Sequence, residues 1–155
     1  MKIPPSNSAE QILNVALADD DEDDRLFFQE AMEDIAVRTK LSLLNDGQEL
    51  MDYLNLPNII LPNLVFLDLN MPVKDGMQCL KEIRSNPKLN DICIAIYSTS
   101  SSEKDIEDTF VNGANVYLNK PNNFNKLRDS IEKVLQINWQ YHTSNLNREN
   151  FLLRL

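Results

Sequence analysis

The chain has 155 residues, the size of one ordinary domain, and 43% of them are hydrophobic, which is enough for a buried core. Its formal net charge of −9 argues against a nucleic-acid ligand, because such binding is driven by basic side chains that meet phosphates. No stretch approaches the roughly 20 apolar residues of a membrane span, and residues 1–10 lack the apolar segment of a signal peptide. We therefore expect a cytoplasmic domain that binds neither nucleic acid nor membrane.

After a leader at residues 1–9, which we expect to be flexible, short apolar runs alternate with amphipathic segments. The runs have the length of strands: Val15–Ala18, Leu41–Leu44, Leu64–Leu67, Ile92–Tyr97 and Val116–Leu118. Between and after them, apolar residues recur every three or four positions, as they do on one face of a helix. Gly113 is placed to end the fourth helix. This alternation predicts an α/β fold of doubly wound (βα)5 type, with a parallel sheet between two layers of helices.

The alternation defines a domain at residues 10–137, which leaves a C-terminal extension at residues 138–155. Trp139, Tyr141 and Phe151 make this extension too apolar for an inert tail. Two interpretations stay open. The extension either packs back on its own domain or forms a surface for a partner or a second copy.

Charged side chains stand directly after three of the strand-like runs. Asp19 and Asp20 follow the first run, Asp68 follows the third and Lys120 follows the fifth. Because ligands collect at the carboxyl ends of the strands in open α/β sheets, we expect these side chains to form one site. Three neighbouring carboxylates repel one another unless a cation lies between them. Oxygen ligands without histidine or cysteine favour Mg²⁺, Mn²⁺ or Ca²⁺.

Such a site has a defined chemistry. The carboxylate of Asp68 can act as a nucleophile that accepts a phosphoryl group. Lys120 would then neutralise the developing charge, and Ser98, at the end of the fourth run, could donate a hydrogen bond to a phosphoryl oxygen.

These residues and the intervals between them resemble the receiver domain of two-component response regulators over residues 12–137. The resemblance rests on the acidic pair Asp19-Asp20, the stretch LDLNMPVKDG around Asp68, the hydroxyl of Ser98, the aromatic Tyr117 and the dipeptide Lys120-Pro121. It implies a flavodoxin-like sheet with the strand order 2-1-3-4-5. Smaller features, such as Asn86-Pro87, resemble a subset of stand-alone, single-domain receivers, some of which partner phytochrome-type kinases.

The resemblance also implies roles for single residues. Asp68 would accept a phosphoryl group from a sensor histidine kinase or a phosphotransfer protein, and Lys120 would pair with that group. Ser98 and Tyr117 would form the switch that responds to it. The Mg²⁺ ligands would be Asp19, Asp20, Asp68 and the backbone carbonyl of Asn70.

Two backbone features follow from the same resemblance. The bond from Lys120 to Pro121 would be cis, and Gly76 would adopt a positive φ in the loop after the third strand.

The chain would thus be a phosphorylation-controlled switch in a phosphorelay, catalysing only its own phosphorylation and dephosphorylation. The candidate surfaces for a homodimer are the C-terminal extension and the face of the fourth and fifth helices.

The main alternative is a calcium-binding loop of the EF-hand type. Asp19, Asp21, Asp23 and Glu30 occupy its ligand positions, but Asp24 replaces the required glycine and the preceding residues predict a strand rather than a helix. A phosphohydrolase would need a second aspartate at the position of Asn70, and a flavin carrier would need a phosphate loop free of acids. The intact set of site residues argues against a receiver that has lost phosphorylation.

Overall fold

The computed structural model describes residues 12–141 and 152–153, so the predicted leader at residues 1–9 lies outside the described residues. In chain order the elements are β1 Leu13–Ala18, α1 Glu22–Glu33, β2 Thr39–Leu44, α2 Gly47–Leu54, β3 Leu64–Leu67, α3 Gly76–Ser85, β4 Cys93–Ser98, α4 Glu103–Val111, β5 Val116–Asn119, α5 Phe124–Tyr141 and β6 Leu152–Leu153. The described strands form one sheet in the order β2-β1-β3-β4-β5-β6.

The predicted fold is confirmed. The first five strands are parallel and follow the order 2-1-3-4-5, and each is followed by a helix. The predicted run Leu64–Leu67 coincides with β3, whose four residues are all buried, as expected for a strand covered on both faces. Successive side chains of β3 point to opposite faces of the sheet and so belong to two separate hydrophobic clusters. Val65 and Leu67 belong to one hydrophobic cluster, and Leu64 and Phe66 belong to the cluster on the other face of the sheet.

Four helices begin with a side chain that caps their first turn. Asp21, Asp46, Asp75 and Ser102 each accept a hydrogen bond from the backbone N–H three residues later. Each of these helices follows a strand, so their N-termini lie at the carboxyl edge of the sheet, which is the edge that Asp68 leaves. Local sequence thus fixes how the chain turns around the predicted site.

The C-terminal region departs from a plain five-stranded sheet. Helix α5 continues beyond residue 137 to Tyr141, and Leu152–Leu153 pair in parallel with Tyr117 and Leu118 of β5. The described part of the extension therefore prolongs a helix and adds a strand beside β5. The domain limits at 9 and 137 remain predictions. No helix among the described residues has the length and apolar character needed to cross a bilayer.

Two backbone predictions are wrong in this structure. Among the described glycines only Gly113 has a positive φ, of 99°, where it follows the end of α4 as predicted. Gly76 is needed for a different reason, because a Cβ atom there would lie 2.2 Å from the carbonyl oxygen of Asp68. The Lys120–Pro121 bond is trans, like every described peptide bond. In this form the Lys120 N–H already donates to the Ser98 carbonyl at 2.8 Å, so the local pairing does not require the cis isomer.

Candidate functional site

The three aspartates predicted to meet do lie together. Asp19 follows β1 and Asp68 follows the neighbouring strand β3. One carboxylate oxygen from each of Asp19, Asp20 and Asp68 lies within 4.8 Å of the other two. Parallel pairing of β1 with β3 is the physical cause, because it brings the two strand ends to the same point of the sheet edge.

Lys120 reaches this cluster from the end of β5. Its Nζ lies 2.8 Å from Asp19 Oδ2, 2.9 Å from Asp24 Oδ2 and 3.4 Å from Asp68 Oδ2. Burial of the ammonium would by itself lower its pKa, but its close contacts with the carboxylates of Asp19 and Asp24 and the charge of Asp68 outweigh burial and raise it. Lys120 is therefore charged across the physiological range and holds the carboxylates at one point.

The carboxylates differ in their exposure to water. Asp19 is fully buried, Asp68 is 5% exposed and Asp20 is exposed. Burial raises the pKa of Asp68 to about 6; the charge of Lys120 opposes this shift, whereas the charge of Asp19 adds to it. The pKa of Asp19 is also raised, mainly by burial. Asp19 and Asp68 are thus held in buried surroundings that destabilise their ionised forms.

One atom of the cluster lacks a complete set of partners. Asp19 Oδ2 is buried and close to Lys120 Nζ, yet it accepts no hydrogen bond of acceptable geometry. An ion pair without a well-directed hydrogen bond leaves a buried carboxylate oxygen poorly satisfied. A hard divalent cation ligated by these oxygens would complete its coordination, so the donor set fits Mg²⁺ or a similar ion.

Ser98, at the end of β4, is buried and its Oγ accepts a hydrogen bond from the N–H of Ser100 at 3.0 Å. The carbonyl of Ser100 in turn accepts from Tyr117 Oη and from Asn119 Nδ2, both at 2.8 Å. The Ser100 hydroxyl donates to Asp105 Oδ2 of α4 at 2.6 Å. The two predicted switch residues are therefore linked to each other, and to α4, through Ser100.

Asp24 contacts the site in a way that the sequence pattern did not predict. Asp21 caps α1, as an acid at a helix N-terminus commonly does, but Asp24 forms an ion pair with Lys120. A signal was present, because Phe28, four residues later on the same helix face, is buried in the core. The face that carries Asp24 had to turn inward.

The structure also gives the position of Asn70, the remaining predicted ligand, and tests the EF-hand alternative. Asn70 lies two residues beyond Asp68, with its N–H 3.4 Å from Asp68 Oδ1 and its side chain exposed. The residues before Asp19 form strand β1 instead of the helix that an EF-hand requires, so that alternative is excluded.

Comparisons with known proteins agree with this geometry. The family model of the response regulator receiver domain matches residues 15–132. Response regulator Rcp1 from Synechocystis sp. is 32% identical over 127 residues, which cover 77% of this chain and 84% of the relative. The probable methanogenesis regulatory protein FilR2 from Methanothrix harundinacea is 30% identical over 129 residues, covering 81% of this chain and 83% of the relative.

Solved structures give the same result. The phosphorylated cyanobacterial phytochrome response regulator RcpA is 34% identical, with a TM-score of 0.75 over 88% of this chain and 99% of that one. The Mn²⁺-bound form of response regulator Rcp1 is 30% identical, with a TM-score of 0.70 over 87% of this chain and 97% of that one. The chain therefore belongs to the response regulator receiver-domain family: it is a signalling protein rather than a classical enzyme, and it accepts a phosphoryl group.

Proposed function

We propose that Asp68 is the phosphoryl acceptor of this chain and that its phosphorylation requires Mg²⁺. The observation that carries the proposal is the meeting of three aspartate carboxylates within 4.8 Å, next to the ammonium of Lys120. Among these acids Asp68 ends the central strand β3 and is almost fully buried, yet it lies at the edge of the sheet where a donor can approach.

The transfer step needs an ionised carboxylate. An oxygen of Asp68 forms a bond to the phosphorus of a phosphohistidine on the donor, the phosphorus–nitrogen bond breaks, and the imidazole nitrogen leaves with the electron pair. With a pKa of about 6, Asp68 is mostly ionised at pH 7 even before a metal binds. Its burial strips away part of the water that would otherwise solvate the attacking oxygen.

Asp19, Asp20, Asp68 and the backbone carbonyl of Asn70 are the groups that would hold Mg²⁺. The ion, when bound, supplies positive charge that screens the carboxylates from the incoming phosphoryl oxygens. Two observations support this assignment. Asp19 Oδ2 is buried without a hydrogen-bond donor, and the carboxylate of Asp20 is exposed to water, from which the ion would arrive.

Lys120 and Ser98 would stabilise the transferred group. Lys120 Nζ, now shared among three carboxylates, turns toward the phosphoryl oxygens as charge builds up there. Ser98 Oγ accepts from Ser100, so its own proton can be donated to a phosphoryl oxygen. Phosphorylation adds about 1.5 to 2 negative charges, and the links from Ser98 through Ser100 to Tyr117 and Asp105 pass the change on to α4.

The donor we propose is a cytoplasmic sensor histidine kinase or a phosphotransfer protein, and a phytochrome-type kinase is the first choice because Rcp1 and RcpA are similar to this chain. The same residues would also catalyse hydrolysis of the aspartyl phosphate. A homodimer would form through the C-terminal extension or the face of α4 and α5. Truncation after Ile137 should lower the solution mass if the extension mediates it, and an unchanged mass would dismiss that surface.

Two donors test the proposal. The unmodified chain is incubated with acetyl phosphate and, separately, with a panel of purified, radiolabelled, autophosphorylated kinases that includes phytochrome-type members. We expect Mg²⁺-dependent labelling that EDTA abolishes and that Asp68→Asn eliminates with both donors. Asp91→Asn is the matched control, because Asp91 is exposed at the opposite edge of the sheet, just before β4. Stoichiometric labelling of the Asp68→Asn variant would refute the assignment.

A further inference from the structure

Tyr97, the residue before Ser98 at the end of β4, lies against the side chain of Lys120. The Nζ atom of Lys120 is 5.2 Å from the centroid of the Tyr97 ring, within the range of a cation–π contact. β5 pairs with β4, and the Lys120 N–H donates to the Ser98 carbonyl at 2.8 Å, so the lysine leaves its strand directly beside the tyrosine. Tyr97 is 1% exposed and the side chain of Lys120 is 9% exposed. A cation–π contact is strongest where water is excluded in this way.

The ring of Tyr97 is fixed by two other aromatic rings. Phe28 of α1 and Phe66 of β3 contact it edge to face, with centroids 5.3 Å and 6.4 Å away and interplanar angles of 69° and 86°. Phe28 and Phe66 also contact each other, with centroids 4.9 Å apart. All three rings are buried in the hydrophobic cluster on one face of the sheet. The tyrosine ring therefore cannot turn away from Lys120 without disturbing a packed core.

Tyr97 differs from the other described partners of Lys120 because it carries no charge. Burial raises the pKa of its hydroxyl, so the side chain stays neutral. The other partners are the carboxylates of Asp19, Asp24 and Asp68. Two of these, Asp19 and Asp68, are also ligands in the metal site proposed above. A carboxylate that ligates a cation attracts an ammonium group less strongly, whereas the attraction of a neutral ring does not depend on the metal.

A lysine benefits from a partner that stays in place during the reaction. Its ammonium group lies at the end of a flexible stem, and fixing such a side chain costs conformational entropy. If the carboxylates were its only partners, Lys120 would be free to swing into solvent when they turn to other charges. A ring that is buried and rigid limits this motion before the phosphoryl group arrives, and a group that is already oriented lowers the barrier to reaction.

We propose that Tyr97 is a positioning residue for phosphoryl transfer: its ring holds the ammonium group of Lys120 at the acidic pocket while the carboxylates turn to the metal ion and the phosphoryl group. This inference rests on the function proposed above and adds to it a residue of the core that acts only through Lys120. The ring is the active part of the side chain, so the hydroxyl should be dispensable.

The test uses the full chain with Tyr97→Phe, which keeps a ring, and with Tyr97→Leu and Tyr97→Met, which replace the ring by an aliphatic or thioether side chain. Two ringless variants are used so that at least one gives folded protein. Leu64→Ala is the control for loss of packing, because Leu64 is buried in the same cluster but begins β3, four residues before Asp68. Circular dichroism selects conditions in which each variant is folded.

We expect labelling by acetyl phosphate in Mg²⁺ to be about tenfold slower in Tyr97→Leu and Tyr97→Met, which corresponds to about 1.4 kcal/mol and to the loss of one desolvated cation–π contact. Labelling of Tyr97→Phe should stay within about twofold of the unmodified chain, because phenylalanine restores the ring. Folded Leu64→Ala should also stay within about twofold, although it is less stable.

A double substitution shows whether Tyr97 acts through Lys120. In the Lys120→Met background there is no ammonium group for the ring to hold, so Tyr97→Leu should change the rate of labelling by less than about twofold. A tenfold loss that persists in this background would overturn the inference, because the ring would then act on something other than Lys120.

NMR detects the contact without any phosphoryl transfer. The protons next to the Lys120 ammonium should be shifted upfield by the ring current in the unmodified chain and in Tyr97→Phe, and the shift should be lost in Tyr97→Leu. Labelling of both ringless variants at the unmodified rate would overturn the inference, as would an equal loss in Tyr97→Phe. Failure of the underlying function looks different, since the unmodified chain would then not be labelled at Asp68 although the upfield shift is present.

Discussion

Lys120 and Arg84 are cations at opposite edges of the same sheet, and the protein satisfies them in different ways. Lys120, at the carboxyl edge, faces three carboxylates and has a raised pKa, because these acids outweigh the effect of burial. Arg84, at the amino edge, donates four hydrogen bonds to neutral acceptors, and burial lowers its pKa. Those acceptors are the carbonyls of Asn90, Ile92 and Gly113 and the side-chain oxygen of Asn115.

The different partners of the two cations indicate different roles: Arg84 stabilises the fold, whereas Lys120 belongs to the reactive site. Arg84 ties the end of α3 to the segments that lead into β4 and β5, with a directed donor for each acceptor. The cluster around Lys120 contains more acids than its single cation can satisfy, and it leaves Asp19 Oδ2 without a proper hydrogen bond. A complete set of neutral bonds resists change, whereas an excess of charge can be rearranged by a metal ion and a phosphoryl group.

The largest effect on stability should come from the amino edge. Arg84→Met would leave several inward carbonyls without a donor, and we expect the free energy of unfolding to fall by about 3 kcal/mol. Mg²⁺ affinity at the acidic pocket should be unchanged in the folded variant. Urea unfolding measures the first quantity and a metal titration the second. A fall in the free energy of unfolding of less than about 1 kcal/mol would show that the hydrogen bonds of Arg84 do not stabilise the amino edge.

At the carboxyl edge, removal of the cation should mainly affect chemistry. Lys120→Met should slow labelling by acetyl phosphate about 100-fold, a change of roughly 2.7 kcal/mol in the barrier, because among the described residues Lys120 alone places an ammonium group against Asp68. Mg²⁺ should bind more tightly, since the carboxylates lose a competing cation. Lys104→Met is the control, because Lys104 is exposed on α4 and forms an ion pair with Asp108 of the same helix. Equal rates in the two variants would contradict the role of Lys120.

In the absence of metal, the buried negative charge of Asp68 should lower the free energy of unfolding. The folded-state pKa is about 6 against an ordinary value of 3.8, so the folded protein holds this proton more tightly than the unfolded chain. The resulting stabilisation is present below about pH 4 and is lost as the pH rises through 6. At pH 7 without divalent ions, Asp68→Asn should therefore be more stable than the unmodified chain by up to about 3 kcal/mol.

Unfolding curves at pH 4 and pH 7, with and without Mg²⁺, measure this effect. The advantage of the Asn variant should shrink at pH 4 and again when Mg²⁺ is added at pH 7. An advantage that does not change with pH would mean that the charge of Asp68 is not its source.

The smallest effect should come from Asp24, which shares Lys120 but is more than a third exposed. Asp24→Asn should lower the free energy of unfolding by less than about 1 kcal/mol, because water screens an exposed ion pair. Labelling at Asp68 should change by less than about threefold, since Asp19 and Asp68 continue to hold Lys120. A loss as large as that of Lys120→Met would show that Asp24 positions the ammonium for the reaction.

Much of the fold and the acidic edge could be predicted because local sequence determines them. β3 is an unbroken apolar run that ends at Asp68, and Asp19 and Lys120 also follow strands directly, so parallel pairing was enough to bring them to one edge. The end of α4 near Gly113 could also be predicted from local sequence, because the residue after a helix often adopts the left-handed conformation, which favours glycine.

The rest depends on contacts that the sequence does not display. Arg84 is a basic residue in the last turn of α3, which is a common position for one, and only the approach of the loops before β4 and β5 gives it four acceptors. The φ of Val73 results from closure of the loop between Leu69 and Gly76, against the preference of valine itself. The pairing of β6 with β5 joins residues more than 30 positions apart, which a local pattern does not reveal.

The most direct test is to locate the phosphoryl group on the unmodified chain. The protein is labelled with acetyl phosphate in Mg²⁺, the acyl phosphate is reduced with borohydride, and the peptides are sequenced by mass spectrometry. We predict that residue 68 alone is converted from aspartate to homoserine, and that EDTA during labelling prevents the conversion. Conversion at Asp19 or Asp20 in place of Asp68, or an unchanged residue 68 in protein that carries the label, would contradict the account.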